Sequence, residues 1–330
     1  MNLLEKENIN LSSSVREYVK KENGVEFKMS NHFDQGHRKV LAEAIRKQYA
    51  GLELHHEVKN NIDNLEKSNS VTIVTGHQLC LAGGPLFLFY KICSTIALSK
   101  KWSDSLKGYN VVPVFWLASE DHDLNEIRRF WFKENWVELG PEVSGIAGDF
   151  PTDFFSQWLN TEIERHSEFT SLLQIAYSKF ETNAESFRFW INEIFGENGV
   201  VCIDGNEESL KQLALPLFQK ELEEQFVNAG VEIQNEKLRT ENQTPAIQPR
   251  KLNLFHINQG QRFRLEIEGE NIVEVNSNEV LSKAELLAEV KGLSPNVLLR
   301  PVYQEFLLPN LAYVGGSGEL EYWIQLPEVF

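Results

Sequence analysis

An acidic cluster in this 330-residue chain has the residue types and the spacing for acid–base or cation-binding chemistry. It consists of Glu120, Asp121, His122 and Asp123, and Glu126 follows closely. Such a cluster could bind a divalent cation, hold a substrate ammonium group or supply a general base. The competing interpretation is an acidic helix N-terminus in which Asp121 or Asp123 is the cap. Because a cap needs only one acid, the sequence favours a functional role.

A second group of residues has the character of a phosphate-binding loop. It comprises the tetrapeptide Thr75, Gly76, His77 and Gln78, followed by a glycine pair that includes Gly84. Where a parallel strand passes into a helix, unpaired N–H groups and the helix dipole favour an anionic ligand, and His77 could donate to a phosphate there. A glycine turn with a locally satisfied histidine explains the same residues equally well, because the chain has no G-x-G-x-x-G or Walker lysine pattern.

The third group lies near the end of the chain and could bind an acidic ligand. Arg300, interpreted as the end of a strand, could hold a carboxylate or phosphate through two hydrogen bonds. The turn that follows contains Gly315, Gly316, Gly318 and Glu319, and its glycines would let the backbone approach a ligand closely. A tight strand-to-helix turn accounts for these glycines equally well.

Other reactive residue types are interpreted as structural or solvated. Lys91 is expected to be a solvated helix lysine, and Arg250, Arg262 and Arg264 are expected to be exposed strand arginines.

The three cysteines, Cys80, Cys93 and Cys202, are too few for a disulfide framework. They include no C-x-x-C pair, and no metal-ligand set is predicted. Although the position of Cys80 near His77 could lower a thiol pKa, all three are interpreted as core residues.

The elements that must position these groups follow an α/β pattern. Short apolar runs over 71–76, 111–118 and 199–205 predict buried strands, and residues 85–100 predict a helix whose first turn includes Pro85. The acidic cluster and the His77 loop would then share the carboxyl edge of a parallel sheet.

The rest of the chain divides into segments of different character. Residues 1–68 predict a helical segment packed on a core that spans 69–330. That core contains a helical insertion over about 150–196 and a small β insertion over about 245–277, with antiparallel strands within 252–275. A single helix is expected over 210–229, and an unfinished helix at the end. Because the chain stops without a polar tail, we expect it to be the front part of a longer protein.

Composition excludes several classes of function. The formal charge is −16 and the pI is near 5.0, which argue against a nucleic-acid-binding surface. The apolar runs are far shorter than the ~20 residues that cross a bilayer, so no membrane association is expected. Without a secretory signal pattern at the N-terminus, the cytoplasm is the expected location.

Four segments in register resemble the bacillithiol biosynthesis cysteine-adding enzyme family, the cysteine ligases. They are TGHQLCLAGGPLFLFYK at 75–91, VPVFWLASEDHDLNEI at 112–127, FGENGVVCIDG at 195–205, and SPNVLLRPVYQEFLLPNLAYVGGSGELEYWIQL at 294–326. The resemblance implies a Rossmann-like core related to class I synthetases and nucleotidylyl transferases. It also implies a homodimer formed through a C-terminal coiled coil, a part that this chain lacks.

The family resemblance also implies a reaction, in which the cysteine carboxyl is joined to the amine of glucosaminyl-malate in the last step of bacillithiol synthesis. Activation of that carboxyl would need ATP, and Mg²⁺ is a possible companion. In this scheme His77 stabilises phosphate, the cluster over 120–123 orients the cysteine ammonium or accepts a proton, and Arg300 binds the malate carboxylates. The alternatives are another ATP-dependent ligase or nucleotidylyl transferase, and a non-catalytic metabolite-binding module.

Overall fold

The computed structural model describes residues 33–140, 144–163 and 167–330, so the first 32 residues of the predicted helical segment lie outside the described residues. The strands are β1 (Ser70–His77), β2 (Asn110–Leu117), β3 (Arg129–Phe132), β4 (Asn135–Glu138), β5 (Val201–Asp204), β6 (Leu254–Asn258), β7 (Gln261–Glu268), β8 (Asn271–Glu274), β9 (Val280–Leu281), β10 (Leu293–Pro295) and β11 (Asn310–Tyr313). The α-helices are α1 (Gln35–Gln48), α2 (His56–Leu65), α3 (Leu86–Ser105), α4 (Leu124–Ile127), α5 (Asp153–Glu162), α6 (Glu168–Lys179), α7 (Asn183–Phe195), α8 (Glu208–Leu213), α9 (Leu215–Glu224), α10 (Phe226–Thr240), α11 (Lys283–Ala288), α12 (Leu299–Leu307) and α13 (Ser317–Trp323).

A four-stranded parallel sheet forms the centre of the fold, with the strand order β11-β1-β2-β5. β1 and β2 run in register from Ser70 opposite Asn110 to His77 opposite Leu117. Side chains on both faces of β2 are buried because helices cover both faces of the sheet, which explains its continuous apolar run. The prediction of a Rossmann-like α/β core is confirmed.

The other two sheets are antiparallel. β3 and β4 form a hairpin, and the five strands in the order β10-β6-β7-β8-β9 form a second sheet. The alternating pattern over 252–275 predicted β6, β7 and β8 correctly. It did not reveal β10, which pairs with β6 from Leu293 to Pro295 and so carries the sheet towards the carboxyl edge of the parallel sheet.

Three helices, α5 to α7, occupy the stretch between the hairpin and β5, and their facing sides are aromatic. Trp190 and Phe155 are almost completely buried there, and Phe155 stacks on Trp158 at 5.8 Å. α7 begins at a capping box in which Thr182 and Glu185 exchange hydrogen bonds. This helical layer closes the sheet beside β2 and β5.

The expected single helix over 210–229 is wrong, because α8, α9 and α10 replace it. α9 has a proline in its first turn, where a missing N–H is tolerated but a continuous preceding helix is not. Gln225 then adopts a left-handed conformation with φ 51° and separates α9 from α10.

The expected strand ending at Arg300 is also wrong, since Arg300 lies in the first turn of α12. The side-chain oxygen of Asn296 accepts hydrogen bonds from the N–H groups of Leu298 (2.9 Å) and Leu299 (3.1 Å), which starts a helix there. Pro301 suits that first turn.

Two smaller expectations also fail. The last helix, α13, is finished, because it ends at Trp323 before the chain does. Cys93 is exposed rather than part of the core, whereas Cys80 and Cys202 are buried.

Among the helices of the described residues, none combines the length and apolar character that a bilayer crossing needs.

Candidate active site

A cavity of about 710 Å³ opens at the carboxyl edge of the parallel sheet. Its floor is formed where β1, β2 and β11 end, at His77, Leu117 and Tyr313. β1 lies between β2 and β11, so the chain order of the strands reverses beside it, and open α/β sheets bind their ligands at such a point. The second sheet, α12 and the start of α13 supply the remaining walls.

The cavity brings together most of the residues that the sequence singled out. The predicted site residues that line it are Gly76, His77, Gln78, Glu120, Asp121, His122, Arg300, Gly316, Gly318 and Glu319. Segments from the beginning, middle and end of the described core therefore meet at one place, as the sheet-edge argument expects.

Four predicted site residues do not line the cavity. Thr75 is buried and its hydroxyl donates to the Val314 carbonyl at 2.8 Å, which ties β1 to the segment after β11. Asp123 caps α4 by accepting from the N–H of Glu126. Gly84 and Gly315 lie in the turns that precede α3 and α13. These residues support the site from outside.

Two cavity glycines are required by close contacts. A Cβ on Gly76 would lie 3.0 Å from the carbonyl oxygen of Trp116 on the neighbouring strand. A Cβ on Gly316 would lie 2.6 Å from the ring of Phe87. Larger residues at either position would push the strand end or the turn into the cavity.

His77 ends β1 with its ring largely buried beside Phe87. Burial lowers the pKa of His77, and the nearby Lys91 ammonium lowers it further. The imidazole is therefore neutral at pH 7, where one ring nitrogen donates a hydrogen bond and the other accepts one.

Lys91 is a site residue that the sequence analysis missed. Only 4% of its side chain is exposed, and its Nζ lies 2.5 Å from both the Gly76 carbonyl and Glu319 Oε2. Lys91 follows Leu88 by three positions and precedes Thr95 by four, and both are buried, so its place on the inner face of α3 was a signal available in the sequence.

Glu319 is the anchor that joins this lysine to the glycine turn. Besides Lys91, it accepts hydrogen bonds from the Tyr313 hydroxyl at 2.5 Å and from the Gly316 N–H at 2.7 Å. Burial alone would raise the pKa of Glu319, but Lys91 and these two donors lower it. Glu319 is therefore ionised and joins α13 to α3 through Lys91 and to β11 through Tyr313.

Gln78 and Asp121 connect the two motifs that the sequence predicted to face each other. The amide of Gln78 donates to one oxygen of Asp121, and the N–H groups of His122 (2.6 Å) and Asp123 (3.1 Å) donate to the other. Burial would raise the pKa of Asp121, yet these hydrogen bonds lower it, so this carboxylate stays charged.

Glu120 is already paired with a lysine. Its carboxylate lies 2.9 Å from Nζ of Lys211, whose side chain is completely buried. Lys211 also donates to Asn206 Oδ1 at 2.7 Å and to the Lys291 carbonyl at 2.8 Å. The ion pair with Lys211 thus fixes the position of Glu120 at the cavity wall.

Arg262 and Arg250 also line the cavity. Arg250 is exposed, as expected, but precedes β6, whereas Arg262 lies on β7 and is partly buried, contrary to expectation. Arg262 donates to Ser294 Oγ at 3.0 Å and to the Pro295 carbonyl at 2.6 Å, and its guanidinium lies 4.1 Å from the Phe255 ring centroid. These contacts join β7 to β6 and β10. No local sequence signal distinguishes this arginine from Arg264 on the same strand.

Arg300 reaches the cavity from α12. Its Nη1 donates to Gln304 Oε1 at 3.1 Å, and its guanidinium lies 5.6 Å from the Tyr313 ring centroid. The Nη2 atom is buried and has no hydrogen-bond partner among the described residues. A buried guanidinium nitrogen of this kind is suited to an anionic ligand group.

The carboxylates that line the cavity are Glu120, Asp121 and Glu319. Within the described residues, no group of three His, Cys, Asp or Glu side chains is arranged to hold a metal ion.

The parallel sheet, its covering helices and the cavity at the strand reversal define a Rossmann-like α/β protein with a small-molecule site. Residues 6–330 match the family described as "Bacillithiol biosynthesis BshC, N-terminal Rossmann-like domain". The chain belongs to this family, as the four segments indicated.

Curated relatives agree with this membership. Proteins named "Putative cysteine ligase BshC" are 37% identical over 311 residues in Flavobacterium johnsoniae (91% of this chain, 58% of the relative) and 37% identical over 297 residues in Cytophaga hutchinsonii (89% and 56%). The relative from Natranaerobius thermophilus is 34% identical over 296 residues (83% and 54%). The chain spans somewhat more than half the length of these relatives.

Proposed function

We propose that this chain forms the catalytic core of a cysteine ligase of bacillithiol biosynthesis, which joins the cysteine carboxyl to the amine of glucosaminyl-malate in the last step. The observation that carries the proposal is the meeting of His77, Asp121 and Arg300, from three distant segments, in one cavity at the strand reversal. The names of the curated relatives supply the reaction class.

Activation of the cysteine carboxylate is proposed to use ATP. Attack of the carboxylate oxygen on the α-phosphorus forms an acyl-adenylate and releases pyrophosphate; attack of the sugar amine on the acyl carbon then forms the amide and releases AMP. The first step builds negative charge on phosphorus, and N–H donors fixed in place stabilise such charge. The ring N–H of His77 is the donor proposed for this role.

Asp121 of the acidic cluster and His77 are proposed to act on the two amines. Asp121 is ionised and lines the cavity, so it can hold the cysteine ammonium. Its lowered pKa makes it a weak base. The neutral His77, whose pKa is also lowered, is better matched to accept the proton of the attacking amine near pH 7. Arg250 extends the malate-binding role proposed for Arg300.

The test is a reaction of the chain with cysteine, glucosaminyl-malate, ATP and magnesium, followed by thiol labelling and mass spectrometry. Omission of each component in turn identifies the requirements, and release of AMP rather than ADP supports the adenylate. H77A and D121N are each expected to reduce turnover more than about threefold, which is a barrier increase above ~0.7 kcal/mol. H56A and D104N change an exposed histidine and an exposed aspartate outside the cavity and are the matched controls.

Other outcomes separate the alternatives. Pyrophosphate exchange with a different acid would move the function to another ATP-dependent ligase or nucleotidylyl transferase. Binding of cysteine or glucosaminyl-malate in calorimetry, without any turnover and without ATP binding, would favour a metabolite-binding module. Homodimerisation and a cytoplasmic location remain predictions for the whole protein.

A further inference from the structure

The Nδ1 atom of His122 lies between two groups of opposite charge. Nη1 of Arg262 is 3.2 Å away, and Oδ1 of Asp121 is 3.7 Å away. A guanidinium has only donors, and a carboxylate has only acceptors. Contact with Arg262 therefore requires a lone pair on Nδ1, whereas contact with Asp121 requires a proton there.

The position of the arginine decides between these two states. Its other nitrogens donate to Ser294 Oγ and to the Pro295 carbonyl, and its guanidinium lies over Phe255. The His122 ring packs on the same Phe255 at 5.5 Å. Because the second sheet holds Arg262 at these contacts, Nη1 stays pointed at Nδ1 at the closer of the two distances.

We propose that Arg262 is a positioning residue that locks His122 in the neutral tautomer with its proton on Nε2. His122 then meets a ligand in the cavity as a hydrogen-bond donor and not as a base. The contact between His122 and a ligand rests on the proposed function, whereas the tautomer does not.

The charges around His122 agree with this state. Burial lowers the pKa of His122, and Arg262 and Arg250 lower it further, while Asp121 and Asp123 raise it. The balance keeps the ring uncharged at pH 7. With Nδ1 occupied by an arginine and Nε2 protonated, His122 has no lone pair left for a substrate proton, so a histidine base in this cavity must be His77.

The test is nitrogen NMR of the chain labelled at its histidines, with H122N used to assign the His122 resonances. The expected wild-type result is a protonated Nε2 and an unprotonated Nδ1. In R262M, Asp121 becomes the nearer polar partner of Nδ1, so we expect the Nδ1-protonated form to appear and the pKa of His122 to rise. R262K retains a donor and should keep part of the wild-type tautomer signal.

R264M is the matched control, because it removes an arginine from the same strand, two residues along, that pairs with Glu266 at 2.6 Å. It should leave the His122 nitrogen shifts and pKa unchanged. A proton on Nδ1 in the wild-type chain would overturn the proposal even if R262M failed to fold, and so would a folded R262M with the wild-type tautomer. A locked tautomer in a chain without ligase activity would instead refute only the proposed function.

Discussion

Among the contacts of this site, we expect removal of the buried ion pair between Lys91 and Glu319 to lower the free energy of unfolding most. E319Q keeps the size of the side chain and its ability to accept one hydrogen bond, but it removes the negative charge. Lys91, with 4% of its side chain exposed, would then keep a buried positive charge with only the Gly76 carbonyl as a close partner. The variant therefore isolates the cost of an uncompensated buried charge.

The magnitude follows from the exposure of the two partners. Breaking a fully buried pair by removal of one partner costs about 3–5 kcal/mol of unfolding free energy. Glu319 is 25% exposed, and the amide introduced by E319Q can still accept from Tyr313 or Gly316, so the expected loss lies lower, at about 2–3 kcal/mol. With a slope of about 3 kcal/mol/M, the urea midpoint should fall by about 1 M.

The chain contains its own control for this experiment. Lys237 and Glu328 form a pair of the same types at the same 2.5 Å, but their side chains are 56% and 37% exposed. E328Q is expected to cost less than about 1 kcal/mol, because water screens an exposed pair and already solvates both groups. The assay is urea unfolding of E319Q, E328Q and the wild type, followed by far-ultraviolet circular dichroism at pH 7.

Equal losses for E319Q and E328Q would refute the reasoning, since burial is the difference between the two pairs. The pH dependence gives an independent check. The pKa of Glu319 is lowered in the folded chain, so its stabilisation is present above the ordinary value of 4.5 and is lost as the pH falls through the lower folded value. The gap between E319Q and the wild type should therefore shrink below about pH 4.

Three further predictions concern other buried groups. Burial raises the pKa of Glu305 to about 7, so the free-energy cost of burying its charge grows as the pH rises from 4.5 to 7. In urea unfolding, E305Q should therefore be more stable than the wild type by about 1–3 kcal/mol at pH 8 and equally stable at pH 4. Cys93 is exposed, whereas burial raises the pKa of both other thiols to about 12; a disulfide reagent at pH 8 should label one thiol quickly and three after unfolding. A Cβ on Gly205 would lie 2.4 Å from the Trp116 ring, so G205A should cost about 1–3 kcal/mol in the same unfolding assay.

Each of these has a clear opposite outcome. A pH-independent difference between E305Q and the wild type would place the titration elsewhere. Rapid labelling of two or three thiols in the folded chain would contradict the burial of Cys80 or Cys202. Unchanged stability of G205A would show that Trp116 moves without cost.

The parts of the fold that the sequence predicted are those whose pattern is local. The runs ending at Gly76 and Ala118 are short, apolar and rich in β-branched residues, and they are strands because both of their faces are buried. Once these strands are placed in a parallel sheet, their carboxyl ends must share an edge. That geometric rule alone predicts that the His77 loop and the acidic cluster lie close together.

The errors have equally physical causes. The run that leads to Arg300 is too short for periodicity to separate a strand from a helix, and the deciding feature was the hydrogen bonding of the Asn296 side chain. Lys91 and Arg262 belong to residue types that are usually exposed. Their burial depends on partners that lie far away in the sequence, Glu319 and Ser294, which no local pattern reveals.

The net charge of −16 does not conflict with a site for acidic ligands, because charge acts here at two different ranges. Repulsion of a polyanion is set by the whole surface, whereas a small anion inside the cavity responds to groups within about 10 Å. Each of the three cavity carboxylates already has a partner within the protein: Glu120 forms an ion pair with Lys211, Asp121 accepts from Gln78, and Glu319 pairs with Lys91. The cationic cavity residues that remain available to a ligand are Arg250 and Arg300. A protein with a large net negative charge can therefore still place cationic side chains in a cavity where they suit small carboxylates and phosphates.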